Sequence, residues 1–289
     1  MVFEGLIASL NSLTLLLSSM NTHALLLFLI AVLLYIASTF AWAFRWWYLL
    51  RKAGTKACFK TVYESVLGGI LVNNLTPSLK AGGEGFRVFW LRLREGVPMA
   101  RGIATTLYER LSEVPPVAVL VVIGLHYLGV PIIPGFFDVK GTTREWWKTL
   151  KDDSKKVLKR PGVFVVATTI SSLIWLQDVI RLYLIAHAVG LDISMGLAAT
   201  LSVSYLVLGM MPTPAGVGFV EGGFIGILIK FGYSLESTIA MVTLERLVST
   251  VLPSVIGALL VAVNAKNMGL SLREVLRESR VSSTGASGQ

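Results

Sequence analysis

Apolar stretches of spanning or near-spanning length recur along the chain, at residues 3–20, 24–50, 57–75, 97–130, 162–189, 193–212 and 236–264, with a shorter one at 219–231. Crossing a hydrocarbon core of roughly 30 Å takes about 20 apolar residues in a helix. Lipid offers no partner to an unpaired backbone N–H or C=O, so such runs have to be helical. They are continuous and lack the period-2 alternation of barrel strands. An all-α, polytopic integral membrane protein of about 6–8 helices is therefore predicted. Composition agrees, since only 15% of residues are charged against roughly 25% in soluble domains, and mean hydropathy is +0.70.

The first stretch, VFEGLIASLNSLTLLLSSM, carries Glu4 where a signal peptide would carry positive charge, so a retained helix is expected there. The net charge of +9 lies outside the apolar runs. That placement suits anionic lipid headgroups and the positive-inside bias of a multi-pass cell-membrane protein. No aromatic-plus-basic module points to nucleic acid. The single Cys58 excludes an intramolecular disulfide and any CxxC site. His23, His126 and His187 are scattered without ligand spacing, so neither a metal nor another cofactor is expected.

Residues 42–120 and 175–257 match each other at a nearly constant offset of 136 to 137. Trp42, Arg45 and Tyr48 answer Trp175, Arg181 and Tyr183. Ala53-Gly54 answers Val189-Gly190, Thr76-Pro77 answers Thr213-Pro214, Glu84-Gly85 answers Glu221-Gly222, and Glu109-Arg110 answers Glu245-Arg246. A single membrane domain spanning 1–289 follows, with repeat 1 at about 24–130 and repeat 2 at about 162–264. Each unit reads as a long helix, a second helix stopping at Thr-Pro, a short helix opening at Glu84 or Glu221, and a long helix carrying Glu-Arg. The segments EGFRVFWLRLR and EGGFIGILIK are too short to cross at about 1.5 Å per residue. They are predicted to be broken or re-entrant half-helices, a pattern associated with transporter substrate sites.

Loop charge favours inverted over parallel repeats. Arg51, Lys52, Lys56 and Lys60 fill the first unit's loop, whereas the second unit's has only Asp192. The basic tail, with Lys266, Arg273, Arg277 and Arg280, argues mildly the other way. The linker 138–160 is either an interfacial amphipathic helix or a loop anchored by Trp146 and Trp147. The tail 265–289 is expected to be disordered at its end.

Gly82-Gly83 allows close backbone approach, and the helix that follows offers unpaired N–H groups to an anion such as phosphate. Two roles stay open for Glu84: capping its own helix or facing a substrate. Arg87 lies one turn on and can pair with it. Glu109 and Arg110 are adjacent and diverge on one helix. A crossed pairing is predicted, Glu109 with Arg246 and Glu245 with Arg110, either locking the repeats or facing a substrate. Asn73, Asn74, Gln177 and Asp178 add polarity, though Asn and Gln also join helices. No P-loop, GxSxG, Asp-x-Asp or credible Ser/His/Asp set occurs, so no enzyme activity is expected. Glu84 and Glu221 would suit acid–base work on a lipid-linked donor, or a proton relay in a carrier.

TPSLKAGGEGFRVFWLRLREGVPMARGIATTLYERL and MPTPAGVGFVEGG resemble the two signature regions of the lysylphosphatidylglycerol synthase transmembrane-region family, a flippase-like membrane domain. Pro77, Gly83-Glu84, Arg87, Arg92, Arg94, Gly96-Val97, Glu109 and Arg110 fall on the first region. Pro212, Pro214, Gly216, Gly218 and Glu221 fall on the second, with Ala215 replacing a glycine. The resemblance implies binding or translocation of an anionic phospholipid or lipid-linked sugar, with membrane lipids as partners. A lipid-modifying enzyme or glycosyltransferase is a further partner it suggests. Bifunctional members continue into a soluble aminoacyl-transferase domain. Here the chain ends about 25 residues after its last apolar run, so no synthase activity is expected. The expected site comprises Thr76, Pro77, Gly82, Gly83, Glu84, Arg87, Glu109, Arg110, Pro214, Gly216, Gly218, Glu221, Glu245 and Arg246.

Overall fold

A computed structural model of the protein describes residues 14, 17–18, 20–76, 81–129 and 161–269. The expected first helix, Pro77, the linker 138–160 and the tail from 270 on lie outside the described residues or nearly so. Everything regular in the described residues is helical: α1 Thr22–Lys52, α2 Phe59–Leu75, α3 Ala81–Glu95, α4 Met99–Leu128, α5 Pro161–Ala188, α6 Met195–Leu208, α7 Phe219–Lys230 and α8 Leu235–Asn267. The protein is an all-α membrane protein. α1, α4, α5 and α8 are long and apolar enough to cross a bilayer. α2, α3, α6 and α7 have 17, 15, 14 and 12 residues, roughly 18–26 Å at about 1.5 Å each, too little to cross alone. α3 and α7 start earlier than their glutamates. Glu84 and Glu221 sit within the first turn, where a carboxylate complements the helix dipole.

The two halves run in the same order of long, short, short, long. Their turns match too: Gly54 and Gly190 have φ of +81° and +78°, and Gly96 and Gly232 have φ of +65° and +85°. These left-handed positions end a helix or a loop where only glycine is free of strain. Near the middle of α8 a π stretch, Leu247–Val251, takes up one extra residue. It accounts for the offset moving from 136 at Glu109 and Glu245 to 137 at Pro116 and Pro253.

α2 and α3 form an antiparallel hairpin. At its open end the Cys58 N–H donates to Glu95 Oε2 (2.8 Å), and near its tip the Gly83 N–H donates to Asn73 Oδ1 (2.7 Å). α6 and α7 meet beside their break, with Tyr205 against Phe224 (ring centroids 6.3 Å apart) and Leu208 beside Gly223. α1 and α5 pack antiparallel along the centre, joined by Ser38–Gln177 (3.2 Å), Arg45–Ser171 (2.7 Å) and Leu49 with Val163 and Ala167. The remaining contacts between halves are reciprocal. α2 packs on the end of α8, where Gly257 lies on the Leu67 carbonyl. α6 packs on α4, where Gly124 meets Val203.

This packing sorts the loops. One end of the bundle gathers the α1–α2 turn, the α3–α4 turn, the start of α5 and the end of α8, as Arg101–Gly54 and the Phe86, Trp90, Val261 and Ala265 cluster record. The other gathers Gly129, the α5–α6 turn and the α7–α8 turn, tied by Lys230 Nζ to Leu128 O (3.1 Å) and Tyr233 Oη to Asp192 O (2.7 Å). Arg51, Lys52, Lys56, Lys60 and Lys266 fall at the first end.

Candidate functional site

A cavity of about 210 Å³ lies between the halves, bordered from α1 and α5 on one axis and by α2, α3, α4, α6 and α8 around it. Its first-half wall is a closed ring of six alternating charges. Arg45 Nε meets Glu109 Oε1 (3.1 Å), and Glu109 Oε2 accepts from Arg87. Arg87 lies 3.5 Å from Glu84, which accepts from Arg110. Arg110 meets Glu113 (2.9 Å), and Glu113 returns to Arg45 (2.6 Å). Each charge thus has an opposite charge on both sides, the arrangement that burial in a membrane demands. Arg45 adds a bond to Ser171 on α5 (2.7 Å), and Arg87 stacks over Trp46 with its guanidinium 4.3 Å from the ring centre.

The second half repeats part of this arrangement. Arg181 Nη1 meets Glu245 Oε1 at 3.1 Å, the same sequence separation of 64 as Arg45 to Glu109. Arg181 also holds Asp178 (2.6 Å), whose other oxygen accepts from Ser202 (2.6 Å). Arg246 holds Glu221 (2.6 Å) and the Ala215 carbonyl (2.9 Å), as Arg110 holds Glu84. Every one of these pairs lies within its own half. The crossed pairing of Glu109 with Arg246 and Glu245 with Arg110 is therefore wrong. α4 faces α1, α3 and α5 and meets the other half's hairpin at α6, so the two Glu-Arg helices are not neighbours.

Glu84, Arg87 and Arg110 border the cavity, while Glu109 and Glu245 stand behind it at 1% and 0% exposure. Thr76 borders a smaller cavity of about 30 Å³ between the two breaks, with Asn73, Asn74, Tyr205, Thr213 and Ala215. Glu221 caps its own helix, since its Oε2 accepts from the Gly218 N–H (2.7 Å) while Oε1 accepts from Arg246. Glu84 does otherwise: Oε1 accepts from Arg110, and among the described residues Oε2 has no hydrogen-bond partner. Gly82 lies in the first turn of α3. Gly83 makes its close approach to α2, where a Cβ would stand 2.2 Å from the Gly69 carbonyl.

Pro214 opens a single 3₁₀ turn to Gly216, in which Ala215 has φ of +54°, Gly216 +67° and, just beyond, Gly218 +87°. A Cβ on Gly216 would lie 2.9 Å from Gly209 Cα. Gly216→Ala is expected to cost about 1–3 kcal/mol through backbone strain and this clash, readable as a lowered unfolding midpoint in detergent.

Arg45, Glu113 and Arg181 were absent from the expected site. Arg45 and Arg181 were visible as matched arginines in the repeat. Glu113, one turn after Arg110, had no such mark, because Ser249 and Thr250 stand opposite it in the second half.

The sequence pattern of the lysylphosphatidylglycerol synthase TM region matches residues 3–142 and 134–257. The chain belongs to that family. Among lysylphosphatidylglycerol synthase TM-region relatives, the UPF0104 membrane protein MJ1595 of Methanocaldococcus jannaschii is 24% identical, over 74% of this chain and 77% of the relative. A UPF0104 membrane protein of Methanothermobacter thermautotrophicus is 26% identical, over 79% and 82%. PH1989 of Pyrococcus horikoshii, a UPF0104 membrane protein, is 23% identical over 82% and 87%. Both breaks and both Glu-Arg pairs lie inside the matched family segments.

Proposed function

We propose that this protein binds the phosphate-bearing headgroup of an anionic phospholipid or lipid-linked sugar in the central cavity and moves it between leaflets, without catalysing a reaction on it. The observation that carries this reading is the cavity wall. Arg87 and Arg181, from opposite halves, border the cavity while buried, and the Nε–H of each has no acceptor among the described residues. A buried donor without an acceptor is costly, and phosphate oxygens match guanidinium donors well.

In this reading the chain is two inverted repeats, about 24–130 and 162–264, each with a re-entrant hairpin whose tip reaches the membrane interior. Antiparallel α1 and α5 and the reciprocal α2–α8 and α4–α6 contacts support it, as a two-fold relation requires such exchange. Gly129 and Pro161 lie at opposite ends of the bundle. The first unit's basic loop, the start of α5 and the end of α8 with Lys266 then share one face, cytoplasmic by the positive-inside rule. A multi-pass cell-membrane protein results.

The test is headgroup movement of fluorescent phospholipids in liposomes containing the purified protein. Wild type is expected to accelerate it, and Glu84→Gln, which opens the ring, to slow it by about tenfold or more, a change of about 1.4 kcal/mol. An inert wild-type protein across anionic and zwitterionic lipids would sink the reading.

A further inference from the structure

The breaks of the two halves meet each other. The end of α2 packs on the Pro214–Gly216 turn. The small cavity of about 30 Å³ lies between them, and Gly209 and Met211 complete its lining. Thr76 and Thr213, which match at the offset of 137, both border it. Its volume exceeds the roughly 10–15 Å³ that a single water needs. Two helices end here, α2 at Leu75 and α6 at Leu208, so the negative end of each backbone dipole lies beside the cavity. Pro77 has no N–H to give the Asn73 carbonyl.

Much of the donor capacity of this lining is already committed. Asn74 Nδ2 donates to Thr250 O (3.2 Å) and Ser254 Oγ (2.8 Å), while its Oδ1 accepts no hydrogen bond among the described residues. Thr76 Oγ1 donates to the Val72 carbonyl (2.7 Å) and Thr213 Oγ1 to the Val217 carbonyl (3.1 Å). Each hydroxyl proton is thereby used, and each oxygen can still accept. Gly209 offers backbone alone, and its carbonyl accepts no hydrogen bond among the described residues. Asn73 spends its Oδ1 on the Gly83 N–H (2.7 Å) and is assigned no role. Among the described residues no charged side chain borders this cavity. Arg246 stands nearby, donating to the Ala215 carbonyl (2.9 Å) and lying 3.4 Å from Tyr205 Oη, with its charge held by Glu221 (2.6 Å).

Helix C-terminal ends and neutral oxygens favour a cation over an anion, and interrupted membrane helices use both to hold one. Calcium and magnesium sites are built on carboxylates, and none lines this cavity among the described residues. The charge of the lining therefore selects a monovalent ion. We propose that the small cavity is a binding site for a sodium-sized monovalent cation, held by Asn74 Oδ1, the hydroxyl oxygens of Thr76 and Thr213, and the Gly209 carbonyl. Such an ion links the tips of the two hairpins, taking Asn74 and Thr76 from the first half and Gly209 and Thr213 from the second. Asn73, Asn74 and Tyr205 also border the central cavity, so the ion sits against the wall of the larger space. This assignment does not depend on what the central cavity carries.

Thermal unfolding of the full chain in lipid nanodiscs, in sodium chloride against choline chloride at equal ionic strength, tests it without any transport assay. Sodium is expected to raise the midpoint saturably, by about 5–10 °C at a hundredfold excess over its Kd. Equilibrium binding of radioactive sodium to the same protein should saturate at a single ion per chain. Thr76→Val and Thr213→Val, near-isosteres that each remove a hydroxyl oxygen, should together abolish both signals. Thr213→Ser, which keeps the hydroxyl, and Thr243→Val, an exposed change elsewhere on α8, should retain them. Equal midpoints in sodium and choline with no bound sodium would mean that the cavity holds water, and would overturn the assignment. So would a sodium response that survives undiminished in the double variant. Where the double variant does not fold, Thr213→Val alone decides, and an unchanged sodium affinity there overturns the assignment.

Discussion

Arg45→Ala is expected to destabilise the protein by about 3–5 kcal/mol, the cost of removing one partner from a buried ion pair. Arg45 is 3% exposed and uses all three guanidinium nitrogens, Nε to Glu109, Nη1 to Ser171 and Nη2 to Glu113. Its loss leaves two carboxylates short of a counter-charge and opens the ring at the point where it ties α4 to α1 and α5. Arg45→Lys should recover only part of the loss, because an ammonium is a point charge and cannot reproduce the planar fork. The measurement is the thermal unfolding midpoint in detergent or nanodiscs, beside Arg51→Ala, an exposed arginine on the same helix expected to change stability by less than about 0.5 kcal/mol. Equal effects for Arg45→Ala and Arg51→Ala would show that the ring does not hold the fold.

Gly83→Val should disrupt the first hairpin. A Cβ there would lie 2.2 Å from the Gly69 carbonyl and 2.5 Å from the Asn73 amide. Overpacking alone costs about 1–3 kcal/mol. Here the obstacle is backbone, so the helices must separate, breaking the Gly83–Asn73 hydrogen bond worth about another 0.5–1.5 kcal/mol. A total loss of about 3 kcal/mol or more is expected. Gly222→Ala is the control, since nothing lies within 4 Å of its missing Cβ. In a helix that change should be neutral or stabilising by up to about 1 kcal/mol. Unfolding midpoints of the two variants compare them directly, and a Gly83→Val protein as stable as Gly222→Ala would contradict the packing described for α2 and α3.

Much of the architecture is legible in the residues alone. Hydrophobic runs mark the helices, and the matches at an offset of 136 to 137 stand out because polar residues are rare in such sequence. The offset also selects Glu84, Glu109, Arg110, Glu221, Glu245 and Arg246, all of which enter ion pairs. Their partners could not be read the same way. A duplicated Glu-Arg motif says that two helices correspond, not that they touch, and the crossed pairing failed on that distinction. Gly83 shows a related limit: a missing Cβ signals close approach of something, and the sequence does not say that the preceding helix is that neighbour. Glu84 and Glu221 match at the offset of 137, yet among the described residues only Glu221 caps its helix. Arg87, present in one half and replaced by Phe224 in the other, is among the neighbours that differ.

All six members of the charged ring come from residues 45–113. Each has its opposite number in a part of the chain that is synthesised before the second half. A bilayer resists single charges far more than a net-neutral group of them. During biogenesis the first four helices can therefore enter lipid as one electrically self-contained body, leaving Ser171 as the only later bond to the ring among the described residues.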